Sequence, residues 1–137
     1  MLPFQAKHQP KRILVVDDIE DNLFLLQTIL TEEGYNVDIA QNGKSALAMI
    51  EASPPDLVLM DAMMPGMDGY EVTKRIRQNK KIPFIPILLI TAYVEVNVTK
   101  GLDLGANDFI RKPIDYDELM ARIKAFLRLK DSVNSSL

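Results

Sequence analysis

Ile13-Leu14-Val15-Val16-Asp17-Asp18 sets two acids directly after four aliphatic residues, and the pattern recurs. Leu57-Val58-Leu59-Met60 runs into Asp61, and Ile87-Leu88-Leu89-Ile90 runs into Thr91. Short aliphatic runs bounded by charged or turn residues suit strands buried on both faces of a parallel sheet. Two weaker segments read as edge strands. Val37-Asp38-Ile39-Ala40 alternates, with Asp38 expected to point away from the apolar side, and Asp108-Phe109-Ile110 is short with polar flanks.

Helical patterns fill the gaps between these runs. Asp21 to Glu33 carries Leu23, Leu26, Ile29 and Leu30 at helical spacing and is closed by Gly34. Gly43 to Ala52 carries Ala46, Leu47 and Ile50, and Tyr70 to Gln78 carries Val72 and Ile76 with an exposed basic face. Val94 to Leu104 is rich in β-branched residues, which are poor helix formers, but a parallel crossover requires a helix there. Asp115 to Lys130 carries Leu119, Ile123, Phe126 and Leu127. Five βα units in alternation give an α/β domain, a doubly wound five-stranded parallel sheet with helices on both faces. With the three aliphatic strands central, the strand order is 2-1-3-4-5, and a site is expected at the carboxyl ends of strands 1 and 3.

Composition narrows the chemistry. The 137 residues suffice for one domain, and 47% apolar with 26% charged residues is ordinary for a globular chain. No cysteine is present, and the one histidine, His8, lies in a polar N-terminal stretch. Thiolate metal sites, thiol nucleophiles and a Ser-His-Asp triad in the core are therefore excluded. A net charge of −3 and no basic cluster argue against direct nucleic-acid binding. No apolar run approaches the length of a membrane span, and the N-terminus lacks the order of a signal peptide. The expectation is a cytoplasmic protein with no membrane contact.

The strand ends bring Asp17, Asp18, Asp61, Thr91 and Lys112 to one rim. Each has an ordinary structural reading. An Asp pair before a helix caps it, an Asp after a strand forms a turn, a Thr at a strand end packs, and a Lys before Pro is solvated. Their convergence argues for chemistry. Three carboxylates in mutual range repel and call for a cation. A few oxygen ligands suit Mg²⁺, which retains several waters, with Mn²⁺ or Ca²⁺ able to substitute. Asp61 is the nucleophile candidate, since a carboxylate can attack phosphorus and form an acyl phosphate, while Lys112 and Thr91 hold phosphoryl oxygens.

Ile13 to Asp18, Pro55 to Asp61, Met64-Pro65-Gly66-Met67-Asp68-Gly69, Ile90-Thr91-Ala92 and Lys112-Pro113 together resemble the receiver domain of two-component response regulators. The resemblance covers residues 11–130 and implies a flavodoxin-like (βα)5 fold of the chemotaxis-regulator kind. It further implies that Asp61 accepts a phosphoryl group from a histidine kinase or histidine phosphotransfer protein. Asp18 would ligate Mg²⁺ directly, Asp17 mainly through water, and the Met63 backbone carbonyl would be a further ligand. Thr91 and Lys112 would contact the acyl phosphate, and small Ala92 would leave room over it. Phe109 would be the aromatic switch residue, although a plain core aromatic is the alternative. The Lys112–Pro113 bond is expected cis, aiming the lysine inward. Such a domain signals through the surface of its fourth helix, fifth strand and fifth helix and catalyses only its own phosphorylation and dephosphorylation. A homodimer formed on phosphorylation is allowed for. By the same resemblance, Met63 and Tyr93 would occupy the positions that tune hydrolysis of the acyl phosphate.

Three other readings fit less well. A haloacid-dehalogenase-type phosphatase needs a second acid two residues after the nucleophile, and Met63 stands there. A flavin binder needs a Ser/Thr/Gly phosphate loop where Asp17 and Asp18 stand. A degenerate receiver would lack one of the acids, the Thr or the Lys. Residues 1–10 read as an N-terminal tail. Residues 131–137 read either as a frayed tail, given Ser135-Ser136, or as the start of a linker helix, given the stripe Phe126, Leu129, Val133 and Leu137.

Overall fold

The computed structural model describes residues 9–92 and 95–135, with backbone alone for 95–98 and 135. Most of the N-terminal tail with His8, as well as Tyr93, Val94 and Leu137, lies outside the described residues. The elements run β1 (Arg12–Val16), α1 (Glu20–Glu32), β2 (Asn36–Ala40), α2 (Gly43–Ala52), β3 (Leu57–Asp61), α3 (Gly69–Gln78), β4 (Ile87–Thr91), α4 (Glu95–Leu104), β5 (Asp108–Arg111) and α5 (Tyr116–Ser135). All strands are parallel, in the order β2-β1-β3-β4-β5. The aliphatic runs are the three central strands, and every residue of β3 and β4 is buried.

Strand geometry divides the core in two. Leu14, Val16, Val58, Met60, Ile87 and Leu89 project to one face and meet Ala46 and Ile50 of α2 and Tyr70, Val72 and Ile76 of α3. Ile13, Val15, Leu57, Leu59, Leu88 and Ile90 project to the other and meet Leu23, Leu26 and Leu30 of α1 and Leu119, Ile123 and Leu127 of α5. This arrangement explains why the central runs do not alternate: both faces need apolar side chains.

Several expectations are corrected. On β2, Ile39 is exposed, whereas Ala40, on the same face as Asp38, is buried against Leu14 and Val16. Ile39 lies on the edge strand, on the same face as Val37, which is partly buried against the α1 cluster. Helix α1 starts at Glu20, one residue early, with Ile19 in the N-cap position and no side chain capping it. The basic face expected on α3 is only partly exposed, because Arg77 folds inward. Its Nε donates to Gly105 O at 2.9 Å, Nη1 to Ile85 O at 2.7 Å and Nη2 to Asn107 Oδ1 at 2.8 Å. Asn107 Oδ1 also accepts from the Ile87 N–H at 2.9 Å. One guanidinium thus joins α3 to the α4–β5 turn and to the entry of β4.

Helix α5 does not stop at Lys130 but continues to Ser135. Lys130 is buried there and donates to Phe84 O at 3.0 Å, and Asp131 pairs with Lys11 at 2.6 Å. No glycine or proline interrupts the sequence at that point, so the helix has no local reason to end. No helix among the described residues is long and apolar enough to cross a membrane.

Candidate functional site

Strands β1 and β3 are neighbours, with Val16 paired to Met60, and their chains leave the sheet in opposite directions, β1 toward β2 and β3 toward β4. The crevice at their carboxyl ends is the switch point of the sheet. Asp17 and Asp18 follow β1, Asp61 ends β3, Thr91 ends β4, and Lys112 follows β5. Carboxylate oxygens of Asp17, Asp18 and Asp61 lie within 4.8 Å of one another. The rim expected from the sequence is thereby assembled.

Each acid is held differently. Asp17 is 2% exposed. Its Oδ1 accepts from the Ile19 N–H at 2.9 Å and its Oδ2 from Asn22 Nδ2 at 3.1 Å. Asp17 therefore closes an Asx turn ahead of α1 and does not cap the helix. Asn22, which the sequence reading did not single out, is thus part of the site's frame; its position on the first turn of α1, five residues after Asp17, was the available signal. Burial pushes the Asp17 carboxyl above its ordinary range, the Asp61 charge adds to the rise, and the two hydrogen bonds oppose it. Asp18 is exposed.

Asp61 is buried, its Oδ1 accepting from the Met63 N–H at 2.9 Å and its Oδ2 from Lys112 Nζ at 3.0 Å. The Lys112–Pro113 bond is cis. The Lys112 N–H donates to Thr91 O at 2.9 Å, so the lysine backbone is fixed to the end of β4, where the Thr91 side chain is buried. Met63 is 54% exposed at the mouth, and Ala92 is exposed on the loop after β4. Phe109 is 8% exposed and lies inward, in the core on the α3 side.

The loop after β3 follows from its sequence. Pro65 precedes Gly66, whose φ of +73° is the conformation that favours glycine. Asp68 Oδ1 accepts from the Glu71 N–H at 2.9 Å and caps α3. A Cβ on Gly69 would lie 2.6 Å from Asp61 O, so only glycine lets α3 start this close to the acceptor strand.

Three carboxylates with one ammonium leave excess negative charge in a partly buried crevice. An all-oxygen set of this kind fits a hard divalent cation.

The response regulator receiver domain family matches residues 13–124. The chain is 47% identical over 120 residues to response regulator PleD of Caulobacter vibrioides, covering 87% of this chain and 26% of that protein. It is 46% identical over 119 residues to the alkaline phosphatase synthesis transcriptional regulatory protein PhoP of Bacillus subtilis, covering 86% of this chain and 49% of that one. A CheY-like receiver domain protein of Methanospirillum hungatei superposes with a TM-score of 0.84 at 32% identity, covering 90% of this chain and 98% of the other. The chain belongs to the receiver domain family of two-component response regulators, and its function is phosphorelay signal transduction. It spans between a quarter and a half of the length of those two curated relatives. Receiver domains generally signal without being enzymes toward other substrates, and they bind Mg²⁺ at an acidic cluster.

Proposed function

We propose that Asp61 is the phosphoacceptor, taking a phosphoryl group from a histidine kinase or histidine phosphotransfer protein. The observation that carries this reading is the position of the Asp61 carboxylate, buried at the switch point beside Asp17, Asp18 and Lys112. An Asp61 oxygen attacks phosphorus, an O–P bond forms, the N–P bond of the donor phosphohistidine breaks, and its electron pair stays with the imidazole. Asp17, Asp18 and Asp61, with the Met63 backbone carbonyl, would hold Mg²⁺, for which Mn²⁺ or Ca²⁺ can substitute. The ion supplies positive charge against the phosphoryl oxygens. Lys112, already on Asp61, moves its charge to a phosphoryl oxygen as the negative charge there grows. The Thr91 hydroxyl donates to another such oxygen.

Phosphoryl engagement by Thr91 is then coupled to Phe109, and through it to the α4-β5-α5 surface. Leu25 of α1 lines the cleft beside Asp17 and Lys112, and Ile19 ahead of α1, Phe24 on it and Met63 after Asp61 are further exposed large apolar side chains. These residues suit contact with a phosphodonor protein, while direct contact with nucleic acid or membrane is not part of the reading. Self-association on phosphorylation, a cytoplasmic location and a receiver body over residues 11–130 complete it. For residues 131–137, the helical backbone through Ser135 favours the start of a linker helix over a frayed tail.

Asp18→Ala tests the site. This variant should lose both the Mg²⁺-dependent rise in melting temperature and labelling by acetyl phosphate. Labelling at the wild-type rate would overturn the assignment.

A further inference from the structure

Gly101 sits in the interior of α4, where glycine is a poor helix former, and its φ is not in the left-handed region. Backbone freedom therefore does not account for it, and space does. A Cβ at Gly101 would lie 2.4 Å from Phe109 Cζ, 3.0 Å from Phe109 Cε2 and 3.0 Å from Tyr70 Cε1. Two aromatic rings, one from β5 and one from α3, thus come up directly beneath the bare Cα. Lys100, the preceding residue, places its ammonium 5.1 Å from the Tyr70 ring centroid. The C-terminal end of α4 is tied separately, through Gly105 O to Arg77. Helix α4 is thus fixed at its end by a hydrogen bond and seated in its middle on rings.

We propose that Gly101 is a positioning residue for the switch: its missing side chain is the seat that lets the Phe109 ring lie inward under α4. This rests on the reading of Asp61 as phosphoacceptor and Phe109 as switch residue. If the inward ring is the orientation coupled to phosphoryl engagement, then raising its energy weakens phosphoryl binding to the extent that the free protein escapes the penalty by turning the ring outward. The Tyr70 ring closes the other side of the seat, so Phe109 cannot sidestep an added methyl group without displacing Tyr70 or lifting α4.

The test is Gly101→Ala in the wild-type background and in a Phe109→Leu background, titrated with beryllofluoride and Mg²⁺ and read by ¹⁹F NMR. In the wild-type background the substitution should weaken beryllofluoride binding by about tenfold. It should also abolish the nuclear Overhauser contact between the Phe109 ring and the backbone at position 101. In the Phe109→Leu background, where the two Phe109 ring atoms that meet the new Cβ are gone and only Tyr70 Cε1 remains at 3.0 Å, the loss of binding should be much smaller. Equal affinity of Gly101→Ala and wild type, or the same loss in both backgrounds, would overturn the role given to Gly101 and leave the phosphoacceptor reading standing. No uptake of beryllofluoride by the wild type would bring down that reading and this one with it. Should Gly101→Ala alone fail to fold, Phe109→Leu must restore folding, and failure of both would overturn the proposal.

Discussion

Lys112 Nζ lies 3.0 Å from Asp61 Oδ2, and the other oxygen of the same carboxylate accepts from the Met63 N–H. One acid is thus approached by a side-chain cation on one side and by a backbone donor on the other. The Lys112 side chain is partly exposed and Asp61 is buried, so the ion pair can be broken without unfolding the strand that carries the acid.

Asp17 carries the cost of collecting the acids. Its pKa in the folded chain lies above the ordinary value of 3.8, chiefly through burial. The folded state therefore binds its proton more tightly than the unfolded state. The contribution of this residue to stability is fully present below that value and is lost as pH rises through the folded pKa. At neutral pH and without divalent cation, Asp17→Asn should raise the melting temperature, and it should blunt the further rise that Mg²⁺ gives the wild type. A lower melting temperature for the variant at pH 7, together with a full Mg²⁺ effect, would contradict this.

Arg77 should matter more to stability than any lysine or arginine on the exposed face of α3. Arg77→Met keeps much of the apolar stem, takes the guanidinium donors from Gly105 O and Ile85 O, and leaves Asn107 Oδ1 with only the Ile87 N–H. A loss of about 3 kcal/mol is expected in urea unfolding. Arg77→Lys should recover little of it, because an ammonium cannot reach three acceptors spread across a planar fork. A change like that for the exposed Lys74→Met would show the clamp to be ornamental.

Tyr70 Oη is buried with no hydrogen-bond partner among the described residues, and burial pushes its phenol pKa up. Tyr70→Phe removes an unpaired hydroxyl and keeps the ring under Gly101. Thermal unfolding should show a gain of about 1 kcal/mol. A loss of stability would mean that the hydroxyl has a partner.

The lifetime of the acyl phosphate should follow the residue two places after Asp61. Met63 is exposed at the mouth of the site and offers no group to orient an attacking water. Met63→Asn should shorten the lifetime by roughly tenfold, about 1.4 kcal/mol in barrier height. The measurement is decay of phosphorylated protein after the donor is removed, and decay as slow as in the wild type would defeat the idea. The second tuning position, Tyr93, lies outside the described residues.

The strands and the rim were legible because they rest on contiguous sequence. Four aliphatic residues cannot avoid burial on both faces, and an acid directly after such a strand must sit at the sheet's end. The misses involve contacts between segments far apart in sequence. Arg77 reads as one more cation on a basic helix until the carbonyls of Ile85 and Gly105 are seen beside it. Ile39 alternates correctly with Val37, but nothing local says that Val37 is partly buried while Ile39 stays exposed. Gly101 looks like a flaw in an already weak helix, and only the Phe109 ring beneath it supplies a reason. The apolar stripe of α5 thins after Leu127 with no stop signal at Lys130, and the Lys11–Asp131 pair that helps hold the next turn spans nearly the whole chain.

The central claim is that Asp61 forms an acyl phosphate. Intact-protein mass spectrometry after incubation with acetyl phosphate and Mg²⁺ tests it most directly. The account predicts one phosphoryl adduct on the wild type, removed by hydroxylamine, and none on Asp61→Asn, which should fold normally because it keeps the side chain's shape and removes charge from the cluster. A hydroxylamine-sensitive adduct on Asp61→Asn at the wild-type level would contradict it.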